Sequence, residues 1–320
     1  MDLTIWIYNA FDGYKEMSLK QRIKRFSAEK WNIGFIRNEL KGILDGDSIN
    51  VSWLKHKAKD SWFADPFILD VNESEIIILV EEFPKATNKG RITKLTIDKA
   101  SFELKKNDVV LELPTHLSFP LIIRSSSKDM VYLLPENGAS GKLTLYRYWV
   151  NENRLEEIGP VLDEDVADAV PLKVGINDFL FCTKAPNANG NTLFVYIWDE
   201  GKKKYEFCRE YIFDENVARM AGCFFEFNGD LYRPTQECNI QYGHAVTIQK
   251  LVSDDKQMPL EMAILEGRLK FEEVRRLYSV NPQLNVGMHT FNIYQDCIVT
   301  DSLGFDNMWI RKILRALQII

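Results

Sequence analysis

The sequence predicts an all-β protein: a five-bladed β-propeller with short helical or irregular segments at its ends. Two observations carry this. A unit of about fifty residues recurs five times along the 320-residue chain. Nearly everything from about residue 51 onward also reads as short runs of Ile, Val, Leu, Phe and Tyr, punctuated by Gly, Asn, Asp and Pro. Open sandwiches are the alternative, because a repeat alone does not establish closure of a ring.

Taken in order, the units open at Ala64-Asp-Pro-Phe-Ile-Leu69, Phe119-Pro-Leu-Ile-Ile-Arg124, Ala167-Asp-Ala-Val-Pro-Leu172, Met220-Ala-Gly-Cys-Phe-Phe225 and Met288-His-Thr-Phe-Asn-Ile293. A second strand follows each opening, as in Ile76–Glu82, Val131–Glu136, Phe179–Lys184, Leu231–Gln236 and Cys297–Asp301. A third is expected at Arg91–Asp98, Lys142–Trp149, Thr192–Asp199, Ala245–Val252 and Met308–Leu314, and four units add a fourth. The fifth unit runs out of chain first. An exposed sheet edge is a liability, so an N-terminal segment, Trp31–Ile36 or Ile49–Leu54, is expected to complete that blade. The expected division is therefore an extension over residues 1–48, part of which closes the last blade, and the propeller over 49–320.

Composition narrows the function. With 40 Lys+Arg against 46 Asp+Glu the net charge is −6, and no basic tail is present, so no nucleic-acid partner is expected. Apolar runs reach only about five residues, against ~20 for a membrane helix. The first residues lack a secretion signal, and a cytoplasmic location is expected. Five scattered cysteines without a CxxC pair read as reduced thiols. No metal or cofactor is expected. The basic, apolar segments Met17–Phe26 and Met308–Leu317 suggest either terminal packing, the simpler reading, or peripheral membrane contact.

In a four-strand meander the first strand starts, the second ends and the third starts on one face. Polar residues at those points therefore converge on one axial mouth. Asp65, Glu82, Glu136 and Asp168 are the catalytic candidates. His116, Arg219, Arg233, Gln236, Glu237, Tyr242, His244 and His289 are the binding candidates, and Glu81 and Asp301 fall in the same region. Of Glu81 and Glu82, strand alternation turns at most one inward. Each residue alone has a structural explanation: a turn at Asp65-Pro66, a hydrogen-bonded histidine, a tight Arg233-Pro-Thr-Gln-Glu237 loop. Together, carboxylates from separate blades are the equipment for making or breaking glycosidic bonds, one attacking or activating a nucleophile and another protonating the leaving oxygen.

Trp62-Phe-Ala-Asp-Pro-Phe67, Leu79-Val-Glu-Glu-Phe83, Glu112-Leu-Pro-Thr-His-Leu-Ser-Phe-Pro120, Tyr132-Leu-Leu-Pro-Glu136 and Gly229-Asp-Leu-Tyr-Arg-Pro-Thr-Gln-Glu-Cys238, with Tyr242-Gly243, carry a resemblance. Over roughly residues 50–305 the chain resembles the N-terminal propeller domain of plant glucosamine inositolphosphorylceramide transferases and their bacterial relatives. More remotely it is similar to the five-bladed glycoside hydrolases of arabinanase, xylosidase and invertase type. The remote resemblance implies a base or nucleophile at Asp65. It finds Ser118-Phe119-Pro120 where an Asp is expected and Asp168 where a Glu is expected, so Glu82, Glu136 or Glu237 is left to supply the acid. The nearer resemblance implies that, in the plant proteins, transfer belongs to a separate C-terminal domain.

Two functions follow as expectations. One is an enzyme of surface glycan or glycolipid metabolism, acting as a transferase or hydrolase at the mouth. The other is a non-catalytic glycan-binding or scaffolding propeller that partners a glycosyltransferase. Asp45-Gly-Asp47 has the form of a metal-binding DxD, but no Gly-rich nucleotide-binding unit accompanies it.

Overall fold

The computed structural model describes residues 28–127 and 129–316. The first ordered element is β1 (Glu29–Ile36), followed by helix α1 (Leu40–Asp45) and β2 (Val51–Trp53). Blade one is β3 (Ser61–Val71), β4 (Glu75–Pro84), β5 (Arg91–Asp98) and β6 (Leu104–Leu111). Blade two is β7 (Ser118–Arg124), β8 (Met130–Glu136), β9 (Leu143–Trp149) and β10 (Arg154–Leu162). Blade three is β11 (Val166–Val174), β12 (Asn177–Lys184), β13 (Thr192–Asp199) and β14 (Lys204–Ile212). Blade four is β15 (Phe225–Phe227), β16 (Asp230–Glu237), β17 (Ala245–Ser253) and β18 (Leu269–Leu277), with helix α2 (Leu260–Glu266) before its last strand. Blade five starts with β19 (Phe291–Tyr294) and β20 (Cys297–Phe305).

Each sheet is a four-stranded antiparallel meander, and the order of the last is β19-β20-β1-β2. Both N-terminal segments are used: β1 pairs with β20 along its whole length, Glu29 opposite Phe305 through Ile36 opposite Ile298, and β2 forms the outer edge. Gly34 permits this closure. A Cβ there would lie 2.6 Å from Val51 and 2.8 Å from Trp53. The ring is thus closed by β1 and β20, which lie far apart in sequence.

The expected strand at Met308–Leu314 is instead helix α3 (Met308–Ala316). Once β1 occupies the edge of β20 there is no strand for it to pair with, and Trp309 and Ile313 lie on its exposed side. No helix among the described residues is long and apolar enough to cross a membrane. The other basic segment, Met17–Phe26, lies outside the described residues. Asp45-Gly-Asp47 terminates α1: Gly46 is left-handed (φ 108°), and the Gly46 and Asp47 N–H groups bond back to Ile43 and Gly42. All five cysteines are free thiols.

Apolar faces of neighbouring blades pack against each other. Phe67 meets Phe119 edge-on at 4.8 Å between blades one and two, and Phe181 meets Phe224 at 5.0 Å between blades three and four. Such pairs combine large buried area with favourable ring geometry.

The innermost strands are all interrupted near their starts. In blades one to three the pairing register shifts at Ala64/Phe67, Ser118/Leu121 and Ala167/Val170. The residue inside each shift, Asp65, Phe119 or Asp168, has φ of 51°, 44° or 47°. Non-glycine residues rarely adopt this conformation. At two of the three positions a proline follows, Pro66 or Pro120, and contributes no N–H that the broken ladder would strand.

Candidate functional site

Each bulge turns a backbone N–H away from its ladder, and carboxylates accept it. The Asp65 N–H donates to Asp301 at 3.0 Å, the Phe119 N–H to Asp65 at 3.0 Å, and the Asp168 N–H to Glu136 at 3.0 Å. The acceptors come from blades five, one and two, so each carboxylate satisfies the bulge of the next blade. In blade five, the N–H groups of His289 and Thr290 donate to Asp301. Asn292 makes a similar bridge, accepting the Cys223 N–H of blade four and donating to the Pro66 carbonyl of blade one. These buried carboxylates therefore fasten the ring from blade to blade.

Two cations balance them. His289 is 2% exposed and stands between two carboxylates, with Nδ1 2.8 Å from Asp301 and Nε2 3.3 Å from Asp65. Its ring stacks on Trp31 at 4.0 Å. Burial alone lowers an imidazole pKa, but Asp301 and Asp65 overcome this and raise it to about 9. Arg219 donates to Asp168 at 2.6 Å, to Glu136 at 3.2 Å and to Asn189 at 2.8 Å. Its guanidinium lies over the Tyr242 ring at 5.0 Å. Burial works against that charge as well, and Asp168 first among its neighbours more than restores it.

The carboxyl groups respond in opposite directions. Burial pushes Asp65 up to about 7, opposed by His289 and reinforced by Asp168 and Asp301. Glu136 is pushed well above the usual carboxylate range by burial, against the pull of Arg219. Glu81 is raised in the same way, with Asp65 and Glu136 adding to burial. Asp301 is also buried, yet the His289 cation and the hydrogen bonds it accepts hold it below the ordinary value. Asp65, His289 and Asp301 place one ligating atom each within 4.8 Å of the others. As a donor set, two carboxylates and an imidazole, they would suit a cation.

The structure brings Asp65, Glu136, Asp168, Arg219, Gln236, Tyr242 and His289 together around this cluster. Gln236 donates to Asp168 at 2.7 Å. Tyr242 is 37% exposed and meets His289 edge-on at 5.3 Å. His116 sits at the rim, its Nδ1 accepting the Gly90 N–H at 3.0 Å and its Nε2 3.3 Å from Glu81. Burial lowers its pKa, leaving a neutral ring with the proton on Nε2. Glu237 and His244 pair at 2.5 Å, and the His244 ring meets Tyr278 rather than Tyr242.

Two candidates are turned elsewhere. Glu82 lies within blade one, accepting from Ser61, Arg91 and Thr93, while Glu81, on the opposite strand face, couples to the cluster. Arg233 is wholly buried inside blade four, bonded to Gln249 and to the Val217 and Ala218 carbonyls, between the rings of Phe213 and Phe271. Burial lowers its pKa to about 9. Alternation along β16 explains the split, because Arg233 and Gln236 differ in parity and face opposite sides of the sheet.

Sequence reasoning overlooked Trp31 and Asn189 and left Asp301 out of the candidate set. Asp301 carried a signal, since it ends the second strand of blade five as Glu136 ends that of blade two. Trp31 also carried a signal, since it opens the segment Trp31–Ile36 expected to complete the last blade, and the start of a third strand lies on the same face as the candidates.

Comparison with known proteins places the fold and the family. Residues 51–276 match the family model described as glucosamine inositolphosphorylceramide transferase 1, N-terminal. Glucosamine inositolphosphorylceramide transferase 1 of Oryza sativa subsp. indica is 27% identical over 226 residues, covering 65% of this chain and 29% of that protein. The protein of that name from Arabidopsis thaliana is 26% identical over 252 residues, covering 73% and 31%. The chain thus spans less than a third of the length of these curated relatives. Among solved structures, a GH43_1 enzyme from Xanthomonas citri superposes with a TM-score of 0.50 at 11% identity, covering 78% of this chain and 88% of that one. CoXyl43, a GH43 β-xylosidase/α-arabinofuranosidase from a compost microbial metagenome, gives 0.51 at 11% identity, covering 78% and 91%. These likenesses show the propeller fold. The chain belongs to the family of the N-terminal domain of glucosamine inositolphosphorylceramide transferase 1.

Proposed function

We propose that the axial mouth is a saccharide site at which a glycosidic bond is made or broken in glycan or glycolipid metabolism. The observation that supports this most is Glu136. Its side chain is 18% exposed, its Oε2 accepts the Asp168 N–H and an Arg219 N–H, and its raised pKa favours the protonated form. A carboxyl group whose protonated form is favoured in this way is suited to protonating a leaving oxygen. Asp65, raised to about 7, is the partner base, and Tyr242 offers a sugar ring an apolar face beside Arg219. The relatives' name, glucosamine inositolphosphorylceramide transferase, supports a sugar or glycolipid ligand.

One observation favours binding without catalysis. Asp65 is 4% exposed, and its two oxygens already face the Phe119 N–H and His289. On that reading the propeller holds the glycan for a partner glycosyltransferase. The test compares wild type, Asp65→Asn and Glu136→Gln for hydrolysis of 4-nitrophenyl glycosides and for binding of the free sugars. Loss of turnover by about a hundredfold or more in either folded variant, with sugar binding retained, supports catalysis. An inactive wild type that still binds sugar supports the second reading.

A further inference from the structure

A cleft of about 930 Å³ opens at the seam where blade five meets blade one. Its walls come from the start of β1, the chain leaving β2, the start of β3, the residue after β4 and the loop 281–284. β1 is the third strand of its blade, and β3 the first. By the geometry of the meander these points lie on the same face of the disc as the axial mouth. Trp31, which stacks on His289, and Trp62, which lines the cleft, belong to one buried cluster with Leu303. The cleft and the mouth are therefore neighbours joined by a rigid aromatic wall.

We propose that this cleft binds the anionic group, phosphoryl or carboxyl, of a sugar-based ligand. Lys30, Lys55, Lys57, Lys59 and Lys85 line it, and Asp306 is its one acidic lining residue among those described. Lys85 lies 3.9 Å from Asp306. The other four have no carboxylate partner within 4.0 Å among the described residues. Uncompensated ammonium groups gathered in one concavity repel each other and set up a local positive potential, which an anion relieves. They do so on a chain whose net charge is −6.

The lining also has a second chemistry. Asn32 Oδ1 and His56 Nδ1 are buried polar atoms without a hydrogen-bond partner among the described residues, and both residues line the cleft. Buried polar atoms are nearly always paired, so these two leave hydrogen-bonding capacity unmet at the cleft wall. Burial and Lys30 lower the His56 pKa, so its ring is neutral and one of its nitrogens is an acceptor. An amide oxygen and a neutral imidazole accept from hydroxyl groups, while the lysines donate to the charge. A hydroxylated anion meets both demands, and inorganic phosphate meets only one. The sugar half of this ligand rests on the saccharide reading of the mouth; the charged half rests on the cleft alone.

The test is calorimetric titration of the full chain with glucose 1-phosphate, glucuronic acid, inorganic phosphate and glucose. The wild type is compared with Lys55→Glu/Lys57→Glu. Both side chains are exposed, and Lys55 joins its neighbouring strand through backbone atoms only; a thermal melt confirms that the variant is folded. Expected is binding of at least one charged sugar that weakens by about tenfold or more in the variant and also weakens with added salt. Glucose, being uncharged, should be indifferent to the change. No binding of either charged sugar at millimolar concentration, or equal affinity in wild type and variant, overturns the proposal. Phosphate binding as tight as that of glucose 1-phosphate overturns its sugar half. Failure of the mouth as a catalytic site is read separately, on 4-nitrophenyl glycosides with Glu136→Gln.

Discussion

Asp65 and Phe119 are tied across the seam between blades one and two, the carboxylate of the first accepting the backbone N–H of the second at 3.0 Å. Both residues are left-handed, so the bond joins one strained bulge to the next. Strain of this kind persists only where the surroundings hold it, and here the holder is the same carboxylate that would act as base. On the proposed catalytic reading, catalytic and structural demands meet in one side chain.

Removing that carboxylate should loosen the ring. Asp65→Ala leaves the Phe119 N–H buried without an acceptor, and a loss of about 1–3 kcal/mol of stability is expected. Asp65→Asn retains an acceptor oxygen and should lose less. Chemical denaturation of both variants checks this, and equal losses would separate the effect from the hydrogen bond.

The mouth should give stability a particular pH dependence. The His289 pKa is raised from 6.5 to about 9 on folding, so its contribution is complete below about 6.5 and lost as pH rises through 9. The shift corresponds to about 3 kcal/mol. Asp65, raised from 3.8 to about 7, has the same sign: its contribution is full below about 3.8 and fades as pH passes 7. Asp301, held below its ordinary value, loses its share as pH falls into the acid range. Melting temperature measured between pH 6 and 10 should fall more steeply for wild type than for His289→Gln. Parallel curves would count against an imidazolium at this position.

Arg233 should matter for folding and not for sugar. Arg233→Met removes the donors to Gln249 and to two blade-four carbonyls, and a destabilisation on the order of 3 kcal/mol is expected from the stranded acceptors. At a temperature where the variant is folded, its affinity for saccharides should match wild type within about twofold. A selective loss of binding would bring Arg233 back to the site.

Closure of the ring should depend on Gly34. An alanine Cβ would overlap Val51 and Trp53, so Gly34→Ala should cost about 1–3 kcal/mol. The loss should appear in hydrogen exchange as earlier opening of β1 and β2 relative to blades two and three. Uniform loss across all blades would show that the closure is not locally weak.

Much of this fold was legible because the blades repeat. The expected third strands Arg91–Asp98 and Thr192–Asp199 coincide with β5 and β13, since alternation and turn residues are local signals. The last blade was less legible. Met308–Leu314 has apolar spacing compatible with either period, and only the pairing of β1 with β20, which spans most of the chain, removes the strand option. At the mouth, convergence of first-strand starts and second-strand ends placed Asp65, Glu136, Asp168, Arg219 and His289 correctly in space. For Glu81, Glu82 and Arg233 alternation alone was not enough, because it separates neighbours into two faces without saying which face of β4 or β16 meets the cluster.

The most direct measurement is a crystal structure of the protein soaked with glucosamine, N-acetylglucosamine, xylose and arabinose in turn. The account predicts a sugar ring against Tyr242, with hydroxyl groups in hydrogen-bond reach of Glu136 and Arg219. A mouth that stays empty at saturating concentration of every sugar, or sugar bound only at other surfaces, would contradict it.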